Sequence, residues 1–289
     1  MSVECLDTTI SVNDGALHFA TWKDRRLKPS SVFLLIHGIM MHGKSFDNLA
    51  RSLASKKALV LAPDLRGFGR FYHSEDSKQR KTDYNQSLND LAYVLHQLAE
   101  RYPDLPIFCA GESLGATLAR NLVSLHPEFF SGLILSSPCV RPRILSLPLI
   151  PHACSELILT GINPGRPVDL SPFARQFLKY EEGNLKDYLE DPLTRKSLEV
   201  LELIDSLQFV GSNRSMSIPG NIPILVLRGK NDGVCTYSSS KRFLEDLDSS
   251  NMTIHNCNTC GHIVLQSSLV EPKILSVIER WQEKVLAMI

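Results

Sequence analysis

Short, unbroken apolar runs punctuate the chain: Val32-Phe33-Leu34-Leu35-Ile36, Ala58-Leu59-Val60-Leu61-Ala62, Pro106-Ile107-Phe108-Cys109-Ala110, Leu133-Ile134-Leu135 and Ile224-Leu225-Val226-Leu227. A strand with one wet face alternates apolar and polar residues, so continuous runs of this kind predict strands buried on both faces. Between most of them apolar residues recur at helical spacing, as in Leu88, Leu91, Leu95 and Leu98, and again in Ile274, Val277, Ile278, Trp281 and Val285. Strands that alternate with helices call for a mostly parallel sheet flanked by helices on both faces, the α/β class. The N-terminal stretch differs. Thr8 to Val12 and Ala16 to Trp22 are β-rich runs joined by Asn13-Asp14-Gly15, which predicts a hairpin.

From Pro138 to about Pro223 there is no clear buried strand, and seven of the sixteen prolines fall between 138 and 172. Leu185 to Gln208 reads as one or two helices, with Leu198, Leu201, Leu203, Ile204 and Leu207 approximating one apolar face. The sequence therefore predicts a core made of residues 1–138 and 219–289, with residues 139–218 inserted between two strands of the sheet.

Composition narrows the function. The 31 basic residues equal the 31 acidic ones, and no run of five or more like charges occurs, which excludes a nucleic-acid binder. A chain 43% hydrophobic and 21% charged can bury a large core. The start, Met1-Ser2-Val3-Glu4-Cys5, has neither the basic nor the apolar part of a secretory signal. The most apolar stretch, Ile144 to Ile162, is broken by Pro148, Pro151, His152 and Glu156, so a cytoplasmic protein is expected. The seven cysteines (5, 109, 139, 154, 235, 257 and 260) are odd in number and irregularly spread, which predicts no disulfide framework.

The sharpest chemical signal is Gly111-Glu112-Ser113-Leu114-Gly115, directly after a predicted strand and directly before a predicted helix. A tight strand-to-helix turn leaves no room for side chains two residues either side of the serine, which explains Gly111 and Gly115. The turn lifts the Ser113 hydroxyl out of the sheet, near a helix N-terminus that favours developing negative charge. An activated serine needs a base, and the base an orienting carboxylate, later in the chain and at strand ends. Asp232 lies just past the run Pro223 to Leu227, and His262 just past the β-rich run Met252 to Asn256. A tetrahedral oxyanion needs two amide donors. Leu114 supplies one and Ile39, in the loop His37-Gly38-Ile39-Met40-Met41-His42-Gly43, the other. His37 braces that loop and is not the base.

These residues, together with Pro63-Asp64-Leu65-Arg66-Gly67-Phe68-Gly69, resemble the α/β-hydrolase superfamily, and within it the monoglyceride lipase and lysophospholipase group of serine hydrolases. The resemblance spans nearly the whole chain. It implies an α/β-hydrolase fold with an inserted, mainly helical cap, no metal and no cofactor, and an oxyanion loop at His37-Gly38, a nucleophile at Ser113, an acid at Asp232 and a base at His262. Two departures stand out: Glu112 precedes the serine where many relatives have histidine, and Arg70 follows the glycine turn where a small residue is usual.

The expected function is hydrolysis of carboxylic esters, with monoacylglycerol or lysophospholipid as the leading substrate class, through an acyl-enzyme on Ser113. The same three residues also suit acyl transfer, C–C bond hydrolysis, or a small-ligand receptor with little turnover. Two features stay open. Cys257-Asn258-Thr259-Cys260 has the spacing of a redox motif or half a zinc site, without a second ligand pair. The apolar stretch Ile144 to Leu159 reads equally as a lid that touches a membrane surface transiently and as packing onto the core.

Overall fold

The structure is a computed structural model that describes residues 2–12, 15–138, 140, 165–177, 182–212, 217–247 and 249–289. The hairpin turn residues Asn13 and Asp14, the apolar stretch Ile144 to Leu159, and Cys139 and Cys154 lie outside the described residues.

Among the described residues eight strands form the central sheet: β1 (Val3–Val12), β2 (Gly15–Asp24), β3 (Ser31–Ile36), β4 (Ala58–Pro63), β5 (Ile107–Glu112), β6 (Phe130–Ser136), β9 (Ile224–Gly229) and β10 (Met252–Cys257). Their spatial order is β1-β2-β4-β3-β5-β6-β9-β10. Every pair from β4 to β10 is parallel; β1 with β2, and β2 with β4, are antiparallel. The predicted hairpin is the β1–β2 pair, registered from Val3 opposite Asp24 to Val12 opposite Gly15. All five apolar runs are strands, and β3, β4 and β5 are buried along their whole length.

Alternate residues of these strands feed two cores. On one face Phe33, Leu35, Ile134 and Leu225 pack with Leu49 and Leu53 of α1 (Asp47–Ser55) and with Ile274, Ile278 and Trp281 of α8 (Pro272–Leu286). On the other, Val32, Leu34, Ile36 and Val226 pack with Leu91 and Leu95 of α2 (Tyr84–Arg101), Leu118 and Leu122 of α3 (Leu114–Leu125), and Phe243 of α7 (Tyr237–Glu245). Burying a side chain of this size is worth about 1.5–3 kcal/mol, so the two layers hold the sheet as a rigid platform. Helix starts follow their caps: Asp83 accepts the Gln86 N–H at the head of α2, and Thr236 that of Ser239 at the head of α7.

Between β6 and β9 the described residues form β7 (Pro167–Asp169), α4 (Ser171–Phe177), α5 (Glu182–Glu190), β8 (Ser197–Glu199) and α6 (Val200–Ser212). Two helices, α5 and α6, do cover most of the span Leu185 to Gln208, but the expected apolar face does not hold: Leu198 lies in β8, and Leu201 and Ile204 are exposed while Leu203 and Leu207 pack against the core. The strands β7 and β8, which periodicity did not reveal, pair antiparallel over three residues each. Strands of three residues, with Leu198 as their single buried position, carry no apolar run to read.

The candidate active site

Ser113 sits at the carboxyl end of β5, immediately before α3, with φ 57° and ψ −116°. A non-glycine residue in that region costs roughly 1–3 kcal/mol and persists only where its surroundings enforce it. Here the enforcement is close packing. A Cβ on Gly111 would fall 2.1 Å from the Gly115 carbonyl oxygen, and one on Gly115 2.1 Å from that of Ile36. The Ser113 N–H donates to the Ser136 carbonyl at 2.9 Å, which fixes the turn against β6.

Asp232 lies in the loop after β9 and His262 in the loop after β10; the structure brings both to Ser113. His262 Nε2 is 2.8 Å from Ser113 Oγ, and its Nδ1 is 2.8 Å from Asp232 Oδ2. A carboxylate only accepts, so Nδ1 carries the proton and Nε2 is left to accept from the hydroxyl. Asp232 Oδ1 accepts the Val234 and Cys235 N–H groups, each at 2.8 Å. Burial acts to raise the Asp232 carboxyl, but His262 and these two amides outweigh it and hold the group below the ordinary carboxylate range. The His262 backbone is tied down by Ser137, whose hydroxyl donates to its carbonyl at 2.6 Å.

His37 and Gly38 follow β3 and are buried. His37 Nδ1 lies 2.8 Å from the Gly38 carbonyl, and Nε2 accepts the Leu65 N–H at 2.9 Å. Both ring nitrogens are thus used in the neutral form, and burial, the largest effect, depresses the imidazole pKa to about 4. His37 thus ties Gly38 to the turn at Leu65. A Cβ on Gly38 would stand 3.6 Å from Ser113 Cβ, so the loop that carries Ile39 runs beside the serine. Among the described residues the Ile39 and Leu114 N–H groups take no part in the hydrogen bonds that hold their turns. His42, also buried, turns elsewhere and pairs with Asp191 at 2.9 Å.

The turn from Pro63 to Gly69 supports this loop. The Asp64 carboxylate accepts the Gly43 N–H at 2.8 Å and both the backbone and Nε protons of Arg70, at 3.0 and 2.7 Å. Arg70, unusual by sequence, therefore neutralises a buried carboxylate. Three residues that sequence reasoning missed, Glu112 in its contacts, Ser137 and Gln266, tie the loops to one another; their partners lie far away in the chain, so no local pattern marks them.

The cysteine reading needs correction. Cys257 and Cys260 form a disulfide, with Cα atoms 5.4 Å apart. The turn that ends β10 brings the two Cα atoms into bonding range, and an odd total count says nothing about such a local pair. Cys5 and Cys109 are free thiols among the described residues. The carbonyls of Cys257 and Cys260 accept the Lys230 and Asn231 N–H groups at 2.8 and 3.1 Å, joining the loop of His262 to that of Asp232. Among the described residues two groups have donor atoms close enough for a metal: Asp232, Cys235 and His262, and Cys257, Cys260 and Glu271. In the first, both nitrogens of His262 are engaged by Asp232 and Ser113. In the second, the sulfurs are bonded to each other, so neither can serve as a thiolate ligand.

The chain is 26% identical to mouse monoglyceride lipase over 255 residues, which span 87% of this chain and 81% of that protein. Among solved structures it resembles a soluble variant of monoglyceride lipase from Saccharomyces cerevisiae in complex with a substrate analog, with a TM-score of 0.79, 18% identity, and coverage of 96% of this chain and 94% of that one. It also resembles the monoacylglycerol lipase of Paleococcus ferrophilus, with a TM-score of 0.70, 20% identity, and coverage of 93% and 99%. Those likenesses fix the fold as that of an α/β-hydrolase. With the model of the serine aminopeptidase, S33, family matching residues 28–268, this α/β-hydrolase chain belongs to that family.

Proposed function

We propose that the protein is a serine carboxylester hydrolase that cleaves monoacylglycerols, with Ser113 as nucleophile, His262 as general base and acid, and Asp232 as its orienting carboxylate. The observation that carries this reading is the unbroken line from Asp232 through His262 to Ser113, 2.8 Å at each step. The named relatives, monoglyceride lipases among them, support the substrate class.

The geometry performs the reaction as follows. Ser113 Oγ attacks the ester carbonyl while His262 Nε2 takes the hydroxyl proton, and Asp232 stabilises the imidazolium. The oxyanion that forms faces the amides of Ile39 and Leu114. His262 then protonates the departing glycerol oxygen. Water, deprotonated by the same nitrogen, attacks the acyl-enzyme and frees the fatty acid.

In this reading residues 139–218 are the cap that closes over the acyl chain. In support, β7 and β8 form a two-stranded sheet of their own, separate from the central one. No helix among the described residues is long and apolar enough to cross a membrane; transient contact of the cap with a lipid surface belongs to the same reading. Turnover across a panel of esters varied in acyl length and head group, with Ser113→Ala as blank, tests the substrate class. Preference for long-chain monoacylglycerol is expected, and preference for short soluble esters would reduce the protein to a general esterase.

A further inference from the structure

Glu112, the departure noted beside the nucleophile, is fully buried, and its carboxylate accepts four hydrogen bonds. One comes from Ser136 Oγ at 2.7 Å; the others come from the N–H groups of Val264, Leu265 and Gln266, at 2.7, 2.9 and 2.9 Å. Three consecutive amides of the segment after His262 thus converge on the residue before Ser113. Four donors on one buried carboxyl group hold the segment after His262 against the residue before Ser113, so Glu112 sets the register between nucleophile and base.

Gln266 carries that register one step further. Its Oε1 accepts the Gly38 N–H at 2.8 Å, and the donor identifies which end of the amide is the oxygen. On the other side of the same residue, the Gly38 carbonyl is held by His37 Nδ1 at 2.8 Å and by the Met41 N–H at 3.3 Å. Both polar groups of Gly38 are therefore fixed, and the peptide that bears the Ile39 N–H begins at the Gly38 carbonyl. Without the Gln266 oxygen, the Gly38 N–H would be a buried donor with no acceptor, which the loop relieves by rotating its peptides.

We infer that Gln266 is a positioning residue for the oxyanion hole: held by Glu112, its side-chain oxygen pins Gly38 and so aims the Ile39 amide at the reacting carbonyl. The inference rests on the reading of Ser113 as nucleophile and Ile39 as oxyanion donor. Gln266 touches neither the substrate nor the triad in this role. Its effect belongs to the transition state, where the oxygen becomes charged, and not to binding of the neutral ester.

The test compares wild type with Gln266→Met, which keeps length and loses the acceptor, and Gln266→Asn, which keeps the amide but withdraws it by one methylene. Losing an oxyanion donor outright costs about 10²–10³ in kcat, so misaiming one is expected to lower kcat by about 10- to 100-fold with KM within about threefold. Affinity for a trifluoromethyl ketone, whose serine adduct carries the same oxyanion, should fall in step with kcat. If Gln266→Met does not fold, Gln266→Asn carries the test. A kcat within about threefold of wild type in the folded variant, or a loss confined to KM, overturns the inference. Ser113→Ala, measured alongside, separates the two failures: retained activity there overturns the nucleophile assignment, whereas an inactive Ser113→Ala with an unimpaired Gln266 variant overturns only the positioning role.

Discussion

Arg195 donates its backbone N–H to the Met40 carbonyl at 3.0 Å, so the segment between β6 and β9 grips the loop that carries Ile39. The guanidinium of Arg195 is buried as well. It pairs with Glu202 at 2.5 Å and reaches the Gly67 carbonyl at 2.9 Å, while Glu202 also accepts the Thr82 and Glu199 N–H groups, each at 2.9 Å.

Breaking a buried pair by removing one partner strands a charge and typically costs about 3–5 kcal/mol. Arg195→Met or Glu202→Gln is therefore expected to lower unfolding free energy by about that much, measured by urea denaturation. The double variant Arg195→Met/Glu202→Gln, which removes both charges and keeps an amide oxygen as acceptor, should lose less than the sum of the two single changes. A cost below about 1 kcal/mol for both single changes would show that the pair does not anchor the segment.

His37 gives a pH dependence. Its folded pKa of about 4 lies below the unfolded value of about 6.5, because its burial favours the neutral ring. The unfolded state then binds more protons in between, so stability is present in full above about pH 6.5 and is lost as pH falls toward 4, by about 3 kcal/mol in all. Chemical denaturation of wild type and His37→Gln across that window checks it. The variant should show a shallower fall, and equal slopes would refute the assignment.

The elbow glycines make a packing prediction. Each Cβ would meet a backbone oxygen at 2.1 Å, and backbone cannot swing aside as a long side chain can. Gly115→Ala should cost about 3 kcal/mol or more and abolish turnover by displacing Ser113, as read from melting temperature together with ester hydrolysis. An active Gly115→Ala would mean that the turn is not held as described.

Asp232→Asn keeps the shape of the acid and removes its charge. The Val234 and Cys235 amides can still donate to Oδ1, but the side-chain NH₂ beside His262 Nδ1 forces the proton to the other ring nitrogen, where it faces Ser113. In serine hydrolysis this change lowers kcat by roughly 10⁴ while leaving the geometry in place. A fall of less than about tenfold would argue that Asp232 does not set the tautomer.

Much of this was legible in the sequence because it is local. Unbroken apolar runs such as Val32 to Ile36 can be only buried segments, and Gly111, which faces the Gly115 carbonyl, reports a turn whose crowding is felt within five residues. Asp232 and His262 could be placed because the fold deposits strand ends on one side of the sheet. The bond from Gln266 to Gly38, the disulfide of Cys257 and Cys260, and the strands β7 and β8 were not legible. The first joins residues far apart in the chain, the second depends on the path of a turn, and the third has too few buried residues to leave a period.

The most direct test of the whole account is the rate at which purified Ser113→Ala releases fatty acid from a long-chain monoacylglycerol, beside wild type at equal concentration. The account predicts a kcat lower by roughly 10⁴ to 10⁶-fold with an unchanged melting temperature. Activity within about tenfold of wild type would contradict it.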